Sequence, residues 1–426
     1  MTRKVLFTIL KILSQLVLKR YKPKIIAITG SVGKTSSKEA IFQILKNKFN
    51  VRRTRGNQNN EIGVPLTILN IKNTPGKNIF GWLKVFLKAL GMIIIKIEYP
   101  DKLVLEFGAD HAGDIDYLVN FIPVNIGVLT KISKAHIKYF KTEKSIFNEK
   151  KKIFKNIPSQ GYAIINNDDR RIRTLKDQLN CRVLTYGIEN NSDIYATALQ
   201  IVEKNGVIGM NFKVIYQGNT VPVFLPESLG LPQVYAFLSG VAVAVISGVN
   251  LVEISDYAQG YIPPRGRTKL LDGINGSYII DDTYNSSPEP VKISIDLLNN
   301  MRGIILGRRI AVLGDMLELG RESIPLHKEI GKYVAKRNID KLLTIGSKSR
   351  NTHREAEKYN FNSDNNIYFK EQKELIAYLK SILREGDLVL IKGSQEARME
   401  RIVKAIMRNS DNAKDLLVRQ TEEWLN

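Results

Sequence analysis

The sequence predicts an α/β protein built on mainly parallel sheets, and three observations carry that prediction. Short β-rich runs alternate with helical stretches along most of the 426 residues, the pattern of parallel strands joined by covering helices. One of these runs ends at Thr29 in a glycine-rich loop that leads straight into a helix. A Pro-Pro-Arg-Gly break at residues 263–266 then divides the pattern in two. The length allows two or three domains at roughly 150 residues each.

Composition narrows the class. Apolar residues make up 43% and charged residues 25%, ordinary globular usage that excludes wholesale disorder, collagen-like repeats and a polytopic membrane protein. Cys181 stands alone beside four histidines, so no internal disulfide or Cys/His zinc cluster is expected, and a reducing cytoplasm is the natural setting. Lys and Arg number 64 against 42 acidic residues, a net charge of +22. Such a surface draws anions, although compositional drift spreads lysines in the same way. Nucleic acid is not an expected partner, because no aromatic-interleaved basic motif accompanies the charge.

Taken in order, residues 1–22 form an amphipathic helix. Lys4, Thr8, Lys11, Gln15 and Lys19 fall on one stripe, and Val5, Leu6, Ile9, Leu10, Leu13, Leu16 and Val17 on the other. The basic start has no small-residue cleavage site, and no apolar run reaches the roughly 18 residues of a spanning helix. Three settings are compatible with it: the protein's own core, a membrane surface, or a partner. Strands are expected at Lys24 to Thr29, Leu103 to Phe107, Ile126 to Thr130 and Tyr162 to Asn166. After Pro264 they are expected at Tyr278 to Asp282, Arg309 to Leu313, Lys341 to Ile345 and Leu388 to Lys392. Between Ile194 and Leu225 the alternation, with turns at Asn205-Gly206 and Gln217-Gly218-Asn219, predicts a small antiparallel sheet. The expected division is therefore an amphipathic helix over 1–22, a nucleotide-binding unit over 23–264 and a second α/β unit over 265–426.

The strongest local signal is Gly30-Ser31-Val32-Gly33-Lys34-Thr35 between a strand and a helix. Glycines let backbone N–H groups turn onto phosphate oxygens, the helix N-terminus adds its positive end, Lys34 neutralises the outer phosphates, and Thr35 offers a hydroxyl to Mg²⁺. Ile28 stands where the strict P-loop pattern has glycine, so this is a shorter G-x-x-G-K-T form. Glu106 closes the next strand at the same sheet edge, where a carboxylate can hold a metal ion. His136 follows the strand after that.

The run of motifs TGSVGKTS, GNQNNEIGVPLTIL, LEFGADHAGDIDYL, AHIKYF, AIINNDD, IDDTYNSSPEP, AVLGDMLELG with the following His327, and IKGSQEARMERIV resembles the Mur ligases from about residue 24 to 407. The resemblance implies a P-loop-type central ATPase domain with a mainly parallel sheet and a C-terminal Rossmann-like α/β domain. It also implies ATP- and Mg²⁺-dependent amide ligation in peptidoglycan precursor synthesis, through an acyl phosphate that an amine attacks. The GDMLELG and KGS…RME segments point to D-alanyl-D-alanine as the amine and a UDP-muramoyl peptide as the carboxylate. A monomer in the cytoplasm is expected.

By the same resemblance, Lys34, Thr35, Glu106 and His136 serve phosphate and metal. FNEKKKIF places Lys150 where the family carries a carbamylated lysine, an anion able to ligate metal. Asn166, Asp169, Arg267, Asp282 and Asn285 fall at nucleotide and cleft positions, with Arg267 expected at the γ-phosphate and Asp282 at the ribose. Asn59 and Asn60 match a substrate loop, and Lys392, Ser394 and Arg398 match positions expected to seat the dipeptide. The family's adenine-contacting G-x-H-N-x-x-N appears as Gly230-Leu231-Pro232-Gln233-Val234-Tyr235-Ala236, leaving Gln233 as the candidate, and Ser287 replaces a usual asparagine.

Two departures set further expectations. The phosphate loop starts near residue 30, so the uridine nucleotide would be held by a partner, by the two domains present, or replaced in a different carboxylate acceptor. A nucleotide-binding subunit working with a partner is the alternative function. Residues 74–100 look inserted, with Lys77, Lys84, Lys88 and Lys96 beside Phe80, Trp82, Leu83, Phe86, Leu87 and Leu90. This basic amphipathic stretch and the N-terminal helix are together expected to touch the inner membrane face or to pack on the protein.

Overall fold

The computed structural model describes residues 3–56, 58–133, 140, 142–189, 191–421 and 424. Two sheets organise these residues. The first holds β1 (Lys24–Thr29), β2 (Val51–Arg53), β3 (Lys102–Glu106), β4 (Ile126–Leu129), β5 (Tyr162–Asn166), β6 (Arg182–Gly187), β7 (Ile194–Lys204), β8 (Val207–Tyr216) and β9 (Asn219–Pro226). Their order is β2-β3-β1-β4-β5-β6-β7-β8-β9. Pairing is parallel from β2 through the short β6–β7 contact and antiparallel from β7 to β9. The hairpins expected over 194–225 form, but they extend the parallel sheet instead of making a separate one. Tyr186 of β6 pairs with Ile194, which joins the two parts edge to edge and covers the open edge of β6.

The second sheet contains β10 (Lys269–Asp272), β11 (Tyr278–Asp282), β12 (Arg309–Gly314), β13 (Lys341–Ile345), β14 (Asn366–Phe369) and β15 (Leu388–Lys392). Its order is β10-β11-β15-β12-β13-β14. Only β10 runs antiparallel to its neighbour.

Strand alternation explains the layers. In β1, Ile25 and Ala27 face one apolar cluster while Ile26 and Ile28 face another, as a period of two requires when helices cover both faces. In β12, Ala311 and Leu313 point to one side, and Ile310 and Val312 to the other.

The N-terminal helix α1 (Arg3–Tyr21) is part of the first unit and not a separate piece. Leu10, Leu13, Val17 and Leu18 are buried in the same cluster as Ile25 and Leu103. The predicted apolar stripe is divided, because Val5 and Leu16 remain exposed together with Ile12.

Residues 74–100 supply α4 (Ile79–Ile94), which follows α2 (Lys34–Leu45) and α3 (Gly63–Ile68); its N-cap Asn78 accepts from Gly81 N–H, satisfying one orphan donor of the first turn. Trp82, Val85, Ala89 and Met92 of α4 are buried in that cluster. Each of the larger side chains contributes roughly 1.5–3 kcal/mol on full burial. Trp82 therefore belongs to the core side of the inserted stretch. No helix among the described residues is long and apolar enough to cross a membrane.

Candidate active site

The phosphate loop is shaped by its glycines and by β4. Gly30 sits at φ 154 with Thr130 against it, so that a Cβ there would lie 1.9 Å from Thr130 Oγ1. Ser31 N donates to Lys131 O at 2.7 Å, and Thr130 Oγ1 donates to Val32 O at 2.6 Å, tying the loop to the end of β4. Gly33, at φ 87, starts the helix α2 (Lys34–Leu45), which has no side-chain cap. The amides of its first turn are thus left to an anion, and the helix dipole reinforces the attraction.

Lys34 Nζ folds back to Gly30 O at 2.9 Å. Burial lowers its pKa, Glu106 acts to raise it, and Arg267 lowers it further. The lysine is therefore a cation held at a cost, which a phosphate charge would relieve.

Glu106 ends β3 and is 2% exposed. Its carboxylate accepts from Thr35 Oγ1 at 3.1 and 3.2 Å and from Asn59 Nδ2 at 3.2 Å, with Lys38 Nζ at 3.5 Å. Burial alone would raise its pKa, but Lys38 and Lys34, with the bonds from Asn59 and Thr35, hold it below the usual carboxylate value. Thr35 and Glu106 thus bring a hydroxyl and an ionised carboxylate together, the hard oxygen donors that suit Mg²⁺. Lys38 was not anticipated from the sequence; its spacing of four from Lys34 on α2 places both ammonium groups on one helix face, and this is the signal that finds it.

Lys150 is 1% exposed at the end of the helix Glu143–Lys150. Burial, chiefly, and then the Lys34 charge push its amine down to about 7, opposed by Asp110, Glu149 and Asp114. It is an enclosed group, not a solvated member of the Lys150–Lys152 run. His136 lies outside the described residues, and among those described no group of three or more His, Cys, Asp or Glu forms a metal cluster.

The second sheet faces this loop across a cavity of about 930 Å³. Arg267 and Tyr284 line it, the guanidinium resting over the tyrosine ring at 3.9 Å. Asp282 and Lys392, assigned separately from the sequence, are register partners on β11 and β15 and form a buried pair at 2.7 Å. Ser294 Oγ adds a bond to the same Asp282 oxygen, and Lys392 Nζ also donates to Asn285 O at 3.0 Å. Ser394 Oγ accepts from Leu317 N at 2.8 Å, so this hydroxyl holds the 314–320 loop against the cavity. Asn59 and Asn60 also line the cavity, and Asn60 Oδ1 accepts from Gly63 N.

Four expected contacts are placed differently. Asn166 and Asp169 do not line this cavity. Asn166 Oδ1 accepts from Asp168 N, while Asp169 caps the helix Arg170–Arg173 and accepts from Ile132 N at 2.9 Å. Gln233 reaches the cavity, but its amide is bonded at both ends, donating to Arg267 O and accepting from Tyr261 OH at 2.9 Å. It braces the segment between the two sheets. Arg398 donates to Glu400 and to Trp424 O, with its guanidinium 5.1 Å from the Trp424 ring. Its charge is therefore turned toward the C-terminal segment.

A phosphate-binding loop at one sheet's C-terminal edge, closed over by a cationic wall on a second α/β sheet, defines a two-lobed nucleotide-using enzyme. Residues 28–244 match the Mur ligase middle domain, and residues 266–395 match the "Mur ligase, glutamate ligase domain". The chain belongs to the Mur ligase family.

Similar proteins include the UDP-N-acetylmuramoyl-tripeptide--D-alanyl-D-alanine ligase of Bacillus subtilis (strain 168), 28% identical over 94% of this chain and 80% of that protein. The ligase of the same name from Buchnera aphidicola subsp. Acyrthosiphon pisum is 30% identical over 92% and 78%. Among solved structures, MurF from Acinetobacter baumannii aligns with a TM-score of 0.75 at 25% identity, covering 92% of this chain and 79% of that one. The MurF ligase of Thermotoga maritima in complex with ADP shares the fold at a TM-score of 0.77, covering 95% and 84%.

Proposed function

We propose that this chain joins D-alanyl-D-alanine to the terminal carboxylate of a UDP-N-acetylmuramoyl-tripeptide, at the expense of ATP. The observation that carries the reading is the meeting of Lys34, Thr35 and Glu106 with Arg267, Asp282 and Lys392 around one cavity. The names of the similar proteins supply the substrates.

Phosphoryl transfer asks mainly for positioned phosphates and compensating charge. The uncapped amides of α2 and Lys34 bind the outer phosphates, and Arg267 approaches the γ-phosphoryl group from the opposite lobe. A carboxylate oxygen of the peptide takes that group and ADP departs. The dipeptide amine then attacks the acyl carbon, an amide C–N bond forms, and inorganic phosphate leaves with the acyl C–O bond broken. Thr35 and Glu106 would hold Mg²⁺, which supplies charge neutralisation along the phosphates. Lys150 is assigned a carbamate, because an amine pushed down to about 7 has a substantial neutral fraction near neutral pH, unlike an ordinary lysine, and the neutral amine is the form that adds CO₂. Lys392 and Ser394 are assigned to the dipeptide side of the cavity, and Asn59 and Asn60 to the acceptor side.

The enzyme is placed in the cytoplasm as a monomer, with one face at the inner surface of the membrane. The division at 264–265 is supported by the position of the two sheets on either side of it. Product-resolved mass spectrometry with ATP, Mg²⁺, D-alanyl-D-alanine and UDP-linked or UDP-free peptides tests the reading. Amide product from the UDP-tripeptide, lost in Lys34→Ala at unchanged melting temperature, is expected. Product only from another carboxylate would overturn the substrate assignment, and turnover by Lys34→Ala would overturn the phosphate loop.

A further inference from the structure

The helix α4 is apolar on two sides. One face is buried in the first unit, and on the other Ile79, Phe80, Leu83, Leu87, Leu90 and Ile94 lie in solvent, with Ile79 76%, Phe80 77% and Ile94 75% exposed. Helical spacing puts these six on a single stripe about 100° wide, continued by exposed Ile95 and Ile97. Monomeric proteins rarely leave such a stripe uncovered unless it meets something.

Its charge surroundings point to what it meets. From Lys72 to Ile97 the chain has five lysines and no acidic residue. Lys77, Lys84 and Lys96 are exposed, and Lys84 projects from α4 beside the stripe. The neighbouring α1 repeats the arrangement: Val5, Ile12 and Leu16 are exposed with Lys4, Lys19 and Arg20, and residues 3–23 carry no acid. The two helices are joined where Tyr21 Oη donates to Met92 O at 2.8 Å and Tyr21 stacks on Tyr99 at 4.5 Å. A protein groove would be expected to meet apolar side chains with mixed charge at its rim, whereas a lipid surface asks for an apolar stripe bordered mainly by cations; the first acid beyond this stripe, Glu98, accepts a bond from Asn50 Nδ2.

We propose that the outer face of α4, with α1 beside it, is a docking surface for an anionic phospholipid bilayer, lying in the interface without crossing it. This rests on, and makes specific, the membrane-facing placement given above, and it is independent of the ligation chemistry. Leu83 and Leu87 enter the acyl boundary, and the lysines face the headgroups. The surface lies beside the segment that carries Asn59 and Asn60: Lys88 Nζ donates to Asn70 O at 2.7 Å. Docking would therefore hold the acceptor side of the cavity near the membrane.

Cosedimentation of the full chain with phosphatidylcholine vesicles, with or without a quarter of phosphatidylglycerol, tests the proposal. Binding to the anionic vesicles is expected, weaker on neutral ones, and weakened by salt. Leu83→Ser with Leu87→Ser should lower the bound-to-free ratio by about tenfold or more on either vesicle. Lys84→Glu with Lys96→Glu should lower it on anionic vesicles only. All these residues are exposed, and solution ligase activity should be retained, so a failed ligation assay and a failed docking assay are distinguishable. No vesicle binding by the unmodified chain, or binding indifferent to both double variants, would overturn the proposal. Self-association that the leucine variant abolishes, in a chain that ignores vesicles, would overturn it in favour of a second copy covering the face.

Discussion

At the scale of single residues, the site is a set of charges made costly by burial and mutually dependent. Lys150 is the sharpest case. Lys150→Ala is expected to lose ligation, with partial recovery when small carboxylates are added to fill the vacated anionic position. The unmodified protein in bicarbonate at alkaline pH should carry the added mass of one CO₂, and active protein with a bare amine would sink the assignment. Glu106→Gln keeps the shape but removes the charge that Lys34 and Lys38 face. It is expected to raise the Mg²⁺ concentration needed for half-maximal rate; unchanged metal dependence with a lowered melting temperature would mark Glu106 as structural. Lys34, Thr35 and Glu106 were legible because a phosphate loop depends on neighbours in sequence and on a strand end. Lys38 and Tyr284 were not, since their roles come from partners 68 and 17 residues away, Glu106 and Arg267. The engagement of Gln233 and Arg398 with the protein itself was equally hidden, because a motif names a residue type and not the direction of its side chain.

At the scale of elements, long apolar strands were readable and short or polar ones were not. β1, β5, β11, β13 and β15 match the sequence expectations residue for residue, each a buried run with little competing pattern. β2, β6, β10 and β14 went unpredicted: β2 is three residues of Val51-Arg52-Arg53, and β14 begins with Asn366. They are strands because a neighbouring strand offers its unpaired edge, antiparallel for β10 and parallel for the other three, a tertiary cause that propensity does not record. The loop after β1 gives the element-scale prediction. Gly30→Ala would require a Cβ to overlap Thr130 Oγ1 at a backbone angle that side chains rarely adopt. It should cost about 1–3 kcal/mol and weaken ATP binding together with it. Thermal melts and nucleotide titrations read both; full ATP affinity in this variant would mean that the loop is not the cradle.

For the whole molecule, the pH dependence of stability should carry one identifiable signature. Burial pushes Asp281 up to about 6 despite bonds from Thr283, while in the unfolded chain it titrates near 3.8. The folded state keeps a proton there that the unfolded state has already lost. Its favourable contribution is complete below 3.8 and disappears as pH rises to about 6. The difference in melting temperature between the unmodified chain and Asp281→Asn should therefore vary across this window and stay level above it. A difference constant from pH 4 to 7 would contradict the assignment.

The strand order of the second sheet has a consequence for how the protein comes into being. β15 is the last strand in the sequence, yet it lies between β11 and β12 at the middle of its sheet. During synthesis every strand of the first sheet is available once residue 226 has been made, so that half can acquire its core early. The second cannot, because the ladder on which β11 and β12 depend is completed only by residues 388–392. Lys392, the partner of Asp282, arrives with that same strand. A nascent chain can thus own a finished phosphate loop while its opposite wall is still two unjoined pieces, and the cleft becomes competent only once residue 392 has been made.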